Sequence, residues 1–219
     1  MHSSIIIEEY NLALVNKFKI AAIICAAGTS SRMPEQNKLL LGYQNTTFIG
    51  QVTRQIIATQ AGLVIVVTGY ESDKIRAALS DYDTDVTFVN NPLFRSGHTS
   101  SIQAGLKVLP KSIDAFMIVL GDMPTITTAH YDLQIDHFQN KYQSEKHLIT
   151  RPMNEKIPGH PVIFSNSLKP ALSSCISKDG CRSVIKDHHD FLSPYIAKEG
   201  VYFTDIDTYT DYLNLKATI

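Results

Sequence analysis

Four short, almost uninterrupted apolar runs alternate with segments of helical character, and this rhythm constrains the fold more than any other feature. The runs are KIAAIICAA (19–27), LVIVVTG (63–69), DVTFVNNP (85–92) and DAFMIVLGDMP (114–124). A half-solvated strand alternates apolar with polar residues, so runs without alternation are expected to be strands covered on both faces. Between them, TTFIGQVTRQIIATQAG places Phe48, Val52, Ile56 and Ala58 near one helical stripe that Gly62 ends. ESDKIRAALS predicts a short helix, TSSIQAGLKVL a helix led by threonine and serine caps, and TTAHYDLQIDHFQ a further helix. Such an order implies right-handed βαβ units, hence an α/β chain with a mostly parallel sheet between helices. Past residue 147 the rhythm loosens. HLITRP and HPVIFS predict strands added at the sheet edge, CRSVIKDHH a helix, and GVYFTDIDTYTDYLNL a returning strand followed by a terminal helix.

Composition excludes several function classes. With 20 basic against 21 acidic side chains, the chain has no positive excess to neutralise a phosphate backbone, so nucleic acid is not an expected partner. Apart from the N-terminal segment, the longest apolar run, Ile20 to Ala27, is far too short to span a bilayer, and no membrane role is expected. The opening MHSSIIIEEYNLALVNKFK carries two glutamates and no cationic start, unlike a secretory signal. Residues 1–18 read as an N-terminal extension and 19–219 as one domain. Cys25, Cys175 and Cys181 form neither a disulfide framework nor a zinc ligand set, which suggests reduced thiols in a cytoplasmic protein.

In doubly wound sheets, ligands bind outside the carboxyl ends of the strands. Two features lie there. The first is CAAGTSSRMPEQNK (25–38): Ala26, Ala27 and Gly28 are small enough for a ligand to approach the main chain, and Thr29, Ser30 and Ser31 add hydroxyls beside backbone N–H groups. Arg32 and Lys38 then supply a forked and a point-like phosphate partner. The loop lacks both GxxxxGK[ST] and GxGxxG, so it is neither a Walker loop nor a dinucleotide fingerprint, which also argues against an NAD-binding protein. The second is Asp122, a lone acid where the fourth strand emerges, with Pro124 preventing continuation.

Taken in order, AAGTSSRM…K, VTGY (67–70), NNP…SGHTSSIQAGL (90–106), LGDMP (120–124), GHPVIFS (159–165) and DIDTYTDYL (205–213) resemble the nucleotidyltransferases of molybdenum cofactor maturation, a MobA-like NTP transferase family. The molybdenum cofactor cytidylyltransferases are the most similar group, over roughly residues 19–215. The resemblance implies a Rossmann-like nucleotide-diphospho-sugar transferase fold with a mixed, mainly parallel sheet. It implies transfer of CMP from CTP to the terminal phosphate of molybdopterin, with pyrophosphate leaving and Mg2+ as cofactor.

On that resemblance Asp122 holds the metal, since a hard divalent cation bridging phosphates takes anionic oxygen ligands. The second acid comes from DIDT. Period-two alternation puts Asp205 and Asp207 on one face and does not choose between them; the family pattern DIDTPEDL favours Asp207. Tyr209 and Thr210 replace its Pro and Glu, and Asp211 fits a helix cap. Arg32 and Lys38 match the family's basic pair and, with Asp122, form the expected catalytic set, although R-M-P-E-Q-N-K has proline for glycine and one residue more than R-M-G-x-x-K. Thr68, Gly69, Gly97, Ser100 and Ser101 are expected around the base, with Ser100 and Ser101 equally suited to capping. Ala27, where guanylyltransferases read L-A-G-G, leans toward cytosine over guanine.

The acceptor is expected against Gly159, His160 and Pro161, with Arg182 suited to a phosphate or pterin ring. The attacking group is a substrate phosphate, so no protein nucleophile is needed; Cys25 is expected to pack within its strand and His188–His189 to sit in an exposed turn. Three alternatives remain: GTP as donor, another small phosphorylated acceptor, or a non-catalytic module that delivers molybdenum cofactor to a molybdoenzyme client.

Overall fold

The computed structural model describes residues 18–33 and 36–218. The expected N-terminal extension therefore lies almost wholly outside the described residues. The first apolar run forms β1 (Ile20–Ala26), flanked by parallel partners β4 (Leu63–Thr68) and β6 (Ala115–Leu120), with Cys25 opposite both Val67 and Leu120. Beyond β4 lies β5 (Thr87–Asn90), also parallel. On the other side, β10 (Val162–Ser165) runs antiparallel to β6 and to β7 (Ile149–Thr150), which is outermost. The sheet order is β5-β4-β1-β6-β10-β7, a mixed and mainly parallel α/β sheet.

Alternation along β1 explains why its run is apolar throughout. Ile20, Ala22, Ile24 and Ala26 enter one core, with Ile49, Val52 and Ile56 of α1 (Phe48–Ile57), Ile75 of α2 (Ser72–Ala78) and Tyr131, Ile135 and Phe138 of α4 (Thr128–Tyr142). Ala21 and Ile23 face the opposite core, with Ile102 and Leu106 of α3 (His98–Lys107), Leu172 of α5 (Lys169–Ser173) and Val184 and Ile185 of α6 (Arg182–Asp187). Each side of the strand thus buries apolar surface worth about 25 cal/mol per Å².

The chain steps from β1 to β4 and β5 on one side, then crosses back to β6 on the other. The loops leaving β1 and β6 consequently diverge at the same carboxyl edge, the crevice where such sheets take ligands. A third cluster sits beside it. Met33, Leu41, Tyr43, Phe48, Ile206 and Tyr212 bury together, tying the C-terminal segment and α7 (Tyr209–Lys216) to the hairpin of β2 (Gly42–Tyr43) and β3 (Thr46–Thr47). A second small sheet, β11-β8-β9 (Tyr195–Ile196, Pro152–Asn154 and Ile157–Pro158), flanks the far side.

Four local expectations need correction. α1 ends at Ile57, so Ala58 is the residue that closes it rather than part of its stripe, and Gly62 instead donates its N–H to Ile20 as β4 begins. α3 starts after Gly97 with no side-chain cap, because Thr99, Ser100 and Ser101 already lie within its first turn and bond elsewhere. The returning strand does not form: Gly200–Tyr202 is a single 3-10 turn, followed by irregular backbone to Thr208. Of the two strands added after residue 147, β10 lies inside the sheet and only β7 forms an edge. Among the described residues, no helix is long and apolar enough to cross a membrane.

Close contact between α3 and β1 rests on Gly105, where an added Cβ would lie 2.5 Å from Cγ2 of Ile23. Alanine there would gain about 1 kcal/mol of helix propensity, but overpacking costs about 1–3 kcal/mol. Gly105→Ala is therefore expected to lower the unfolding free energy by roughly 1 kcal/mol in urea titrations. A variant more stable than the parent would show that this contact relaxes freely.

Candidate active site

The loop after β1 is closed by its own side chains. Ser30 adopts a left-handed backbone (φ 52°), its carbonyl accepts from Met33 N at 2.7 Å, and its hydroxyl accepts from Lys38 N at 3.0 Å. Asn37 caps the following 3-10 turn, Lys38–Leu40, by accepting from Leu39 N. Leu39 and Leu41 anchor that turn in the core, leaving the Lys38 amine to extend back over the sheet edge. At the end of β6, Gly121 N–H donates to the Cys25 carbonyl, so Asp122 emerges beside the same loop.

The C-terminal acids arrive by a backbone contact. Ile206 N–H donates to the Asp122 carbonyl at 3.2 Å, while the Ile206 side chain is buried in the third cluster. Its neighbours Asp205 and Asp207 come with it to Asp122: one carboxylate oxygen from each of Asp122, Asp205 and Asp207 lies within 4.8 Å of the others. Thr208 and Asp211 form a reciprocal cap at the start of α7, and Asp211 also accepts from Asp207 N, fixing the backbone there. Those hydrogen bonds from Thr208 hold the Asp211 carboxyl below its usual range. Asp211 is thus a cap.

Lys38 Nζ sits between two of the acids, 2.5 Å from Asp122 Oδ2 and 2.7 Å from Asp207 Oδ1, and Arg32 pairs with the other Asp207 oxygen. Burial alone would lower the Lys38 amine, but Asp122 and Asp207 outweigh it and hold the amine above its ordinary value. Burial raises the Asp205 carboxyl, and the charges of Asp207 and Asp122 add to that. Asp122 Oδ1 is buried with no hydrogen-bond partner among the described residues. An orphaned carboxylate oxygen beside two other acids fits a divalent cation, which takes several oxygen ligands.

Two cavities meet at this point. The first, about 470 Å³, is lined by Ala27, Gly28, Thr29, Ser30, Ser31, Arg32, Lys38, Gly97, Ser101, Asp122 and Asp207, all expected from the sequence, and also by Phe94, Arg95 and His98. A Cβ added to Gly28 would touch nothing within 4 Å, so main chain is bared to the cavity there. The second, about 430 Å³, is lined by His160 and Arg182 as expected, and also by Arg151, Lys178, Cys181, Tyr202 and Asp205. Cys25, Arg32, His98 and Leu120 line both and mark the junction. Cys25 is therefore not simply packed within its strand. Its thiol is pushed up to about 12 by burial and then by Asp122, so it stays protonated.

Six expected contacts fall outside the cavity walls. Ala26 is fully buried in the core. Thr68 is equally buried, its hydroxyl accepting from Ser72 at 2.8 Å. Gly69 is required by close packing, since a Cβ would lie 2.6 Å from Phe94 Cβ. The Ser100 hydroxyl donates to the carbonyls of Leu93 and Gly97 and accepts from Asn91, holding the loop together. Gly159 permits close approach of the chain itself rather than of a ligand: a Cβ there would lie 2.5 Å from the Tyr202 carbonyl. Pro161 leads into β10 and lines neither cavity.

Reading the sequence alone passed over Arg151 and Lys178 and left Asp205 unchosen. Asp205 had a signal, its two-residue spacing from Asp207. Arg151 had none, because a single arginine before a proline marks no motif.

The family model described as "MobA-like NTP transferase domain" matches residues 22–191. A relative from Escherichia coli (strain K12), "Molybdenum cofactor cytidylyltransferase", is 26% identical over 202 residues, covering 90% of this chain and 95% of that protein. Among solved structures, a nucleotidyl transferase from Methanothermobacter thermautotroptrophicus superposes with a TM-score of 0.78 at 20% identity, covering 91% of this chain and 97% of that one. Rv0371C from Mycobacterium tuberculosis H37Rv, in complex with manganese, superposes with a TM-score of 0.71 at 24% identity, covering 92% and 100%.

The His160 ring adds a pH dependence. Burial, then the nearby charges of Arg151, His98 and Arg182, lowers its pKa to about 3. The folded chain keeps it neutral while the unfolded chain protonates near 6.5, so stability is lost as pH falls below about 6.5. His160→Gln is expected to flatten the decline in urea midpoint between pH 6.5 and 4. Equal declines in variant and parent would mean that the ring protonates normally.

Proposed function

The chain belongs to the MobA-like NTP transferase family, and from that premise we propose that it transfers CMP from CTP to the terminal phosphate of a molybdopterin-type acceptor, releasing pyrophosphate. The observation that carries this reading is the meeting of Asp122, Asp205 and Asp207 with Lys38 and Arg32 where two cavities join. A triphosphate donor needs both carboxylates and cations at one point; a plain binding module needs neither so concentrated.

Asp122 and Asp207, with Asp205 alongside, would hold Mg2+, which when bound supplies neutralisation of charge on the phosphates. A similar structure was solved in complex with manganese, which supports a divalent cation in a protein of this fold. The chain's own groups do the rest. Gly28 exposes main chain in the first cavity, where the triphosphate would lie. Lys38 and Arg32 bind the β- and γ-phosphates and stabilise the charge that develops on departing pyrophosphate. Ala27, Gly97 and Ser101 line that cavity; the Ala27 methyl, where a glycine would leave more room, favours the smaller cytosine, and Gly97 and Ser101 offer main-chain and hydroxyl contacts to the base.

The acceptor occupies the second cavity, against His160 and Arg182, so that its phosphate oxygen meets the α-phosphorus at the junction. A bond forms between that oxygen and the α-phosphorus as the α–β bridge breaks. The attacking oxygen is already ionised near neutral pH, so no protein base takes part. The neutral thiol of Cys25 leaves it without a role as nucleophile. A non-catalytic delivery module is disfavoured because the acids and both cations are positioned together.

Pyrophosphate release in the presence of molybdopterin and each of the four nucleoside triphosphates tests the reading. CTP is expected to be preferred, and activity to vanish with EDTA and return with Mg2+. Asp122→Asn is expected to lose at least about 100-fold in kcat. Preference for GTP would overturn the base assignment, and an unaffected Asp122→Asn the metal site.

A further inference from the structure

The second cavity holds an unbalanced set of charges. Arg32, Arg151, Lys178 and Arg182 line it against only Asp179 and Asp205. Of these cations, Arg32 is paired with Asp207, whereas Arg151, Lys178 and Arg182 make no salt bridge among the described residues.

Arg151 is the unusual one. It is only 8% exposed, follows β7 directly, and its Nε and Nη2 donate to a single acceptor, the Gly159 carbonyl, at 3.2 and 2.9 Å. Nη1 makes no hydrogen bond among the described residues. A buried guanidinium normally meets a carboxylate, since leaving a buried charge uncompensated is strongly destabilising. Here the two bonds to Gly159 orient the fork without neutralising it. Close by, the Nδ1 of His160 is buried with no partner among the described residues, and the ring stays neutral because burial, and then the charges of Arg151, His98 and Arg182, disfavour its protonation. Arg182 enters the same cavity from the first residue of α6.

We propose that Arg151 is an acceptor-binding residue, the buried half of an anion site completed by Arg182, which grips the phosphate monoester of the acceptor from the side opposite the nucleotide. The inference rests on assigning the second cavity to the acceptor and deepens it, because it adds a buried residue to that cavity and states how the acceptor's phosphate is held: by guanidinium groups, in a cavity to which the metal site contributes Asp205 alone. A dianionic phosphate supplies the counter-charge that Arg151 lacks, and the planar guanidinium matches two of its oxygens. His160, neutral, offers Nδ1 to a hydrogen-bonding group on the body of the same molecule.

Phenyl phosphate is the probe, titrated calorimetrically into the full chain saturated with Mg2+ and a non-hydrolysable CTP analogue. Arg151→Gln keeps an amide to bond the Gly159 carbonyl while removing the charge. It is expected to weaken phenyl phosphate at least 10-fold and to change the affinity for the CTP analogue less than 2-fold. Arg182→Gln, on a more exposed residue, is expected to weaken phenyl phosphate as well, and decides the matter if Arg151→Gln does not fold by circular dichroism. Unchanged phenyl phosphate affinity in the folded variants overturns the proposal, as does competition between phenyl phosphate and the CTP analogue for one site. Failure of the CTP analogue to bind the parent chain would instead overturn the nucleotidyltransferase reading of the first cavity, while the response of phenyl phosphate to Arg151→Gln still decides the anion site.

Discussion

One ammonium group holds the site together. Asp122 lies at the end of β6 and Asp207 at the approach to α7, and the nitrogen of Lys38 stands within 2.7 Å of an oxygen of each. With Asp205 beside them, three carboxylates share a few ångströms of partly buried space, and like charges so close repel strongly unless something intervenes. Lys38 is that compensation in the protein alone. Its amine is itself costly to bury, and the acids it neutralises are what keep it charged. The interaction is therefore mutual: neither the cation nor the acids would be stable in this place without the other.

The fold makes that meeting possible without long loops. β1 and β6 are neighbours in the sheet although nearly a hundred residues apart in the chain, so Lys38 and Asp122 reach one edge as a consequence of topology. The C-terminal segment needs a separate device, because it belongs to no strand of the sheet. Burial of Ile206 and Tyr212 against Phe48 and Tyr43, with the Tyr212 hydroxyl donating to the Gly42 carbonyl at 3.1 Å, brings Asp205 and Asp207 back to residues near the chain's beginning. An apolar cluster thus positions an ionic one.

Much of this was legible in the sequence, and the reason lies in the two-sided burial of the central strands. Ile20 to Ala26 had to be apolar at every position because its side chains enter both cores, and such runs identify themselves. The loop after β1 was equally legible as a cavity wall, since Gly28, Arg32 and Lys38, residue types suited to phosphate, all line the first cavity. The residues expected around the base were less so. Thr68 and Gly69 sit at the end of a strand, as ligand-binding residues often do, yet the first is spent on Ser72 and the second on admitting Phe94. A small or hydroxylated residue at a strand end serves packing as readily as binding, and the one-dimensional pattern does not distinguish them. The C-terminal segment misled for a related reason: GVYFT has the composition of a strand, but Tyr202 turns its ring into the protein and gives its carbonyl to His160, so no ladder forms.

The contrast between the two cavities carries the mechanism further than either does alone. In the first, the cations beside the acids are matched, Lys38 with Asp122 and Asp207 and Arg32 with Asp207, and only Arg95 on its wall makes no salt bridge among the described residues. In the second, Arg151, Arg182 and Lys178 have no such partners among the described residues. Carboxylates repel a bare phosphate, so an anion enters the first cavity favourably only with a cation of its own, as a metal-complexed triphosphate does. An unpaired set of guanidinium and ammonium groups makes the opposite demand, for an anion that arrives without a metal. The two proposed substrates differ in that respect, which gives each cavity a physical basis for rejecting the other's ligand. Arg32, at the junction and already paired with Asp207, is the one cation that faces both.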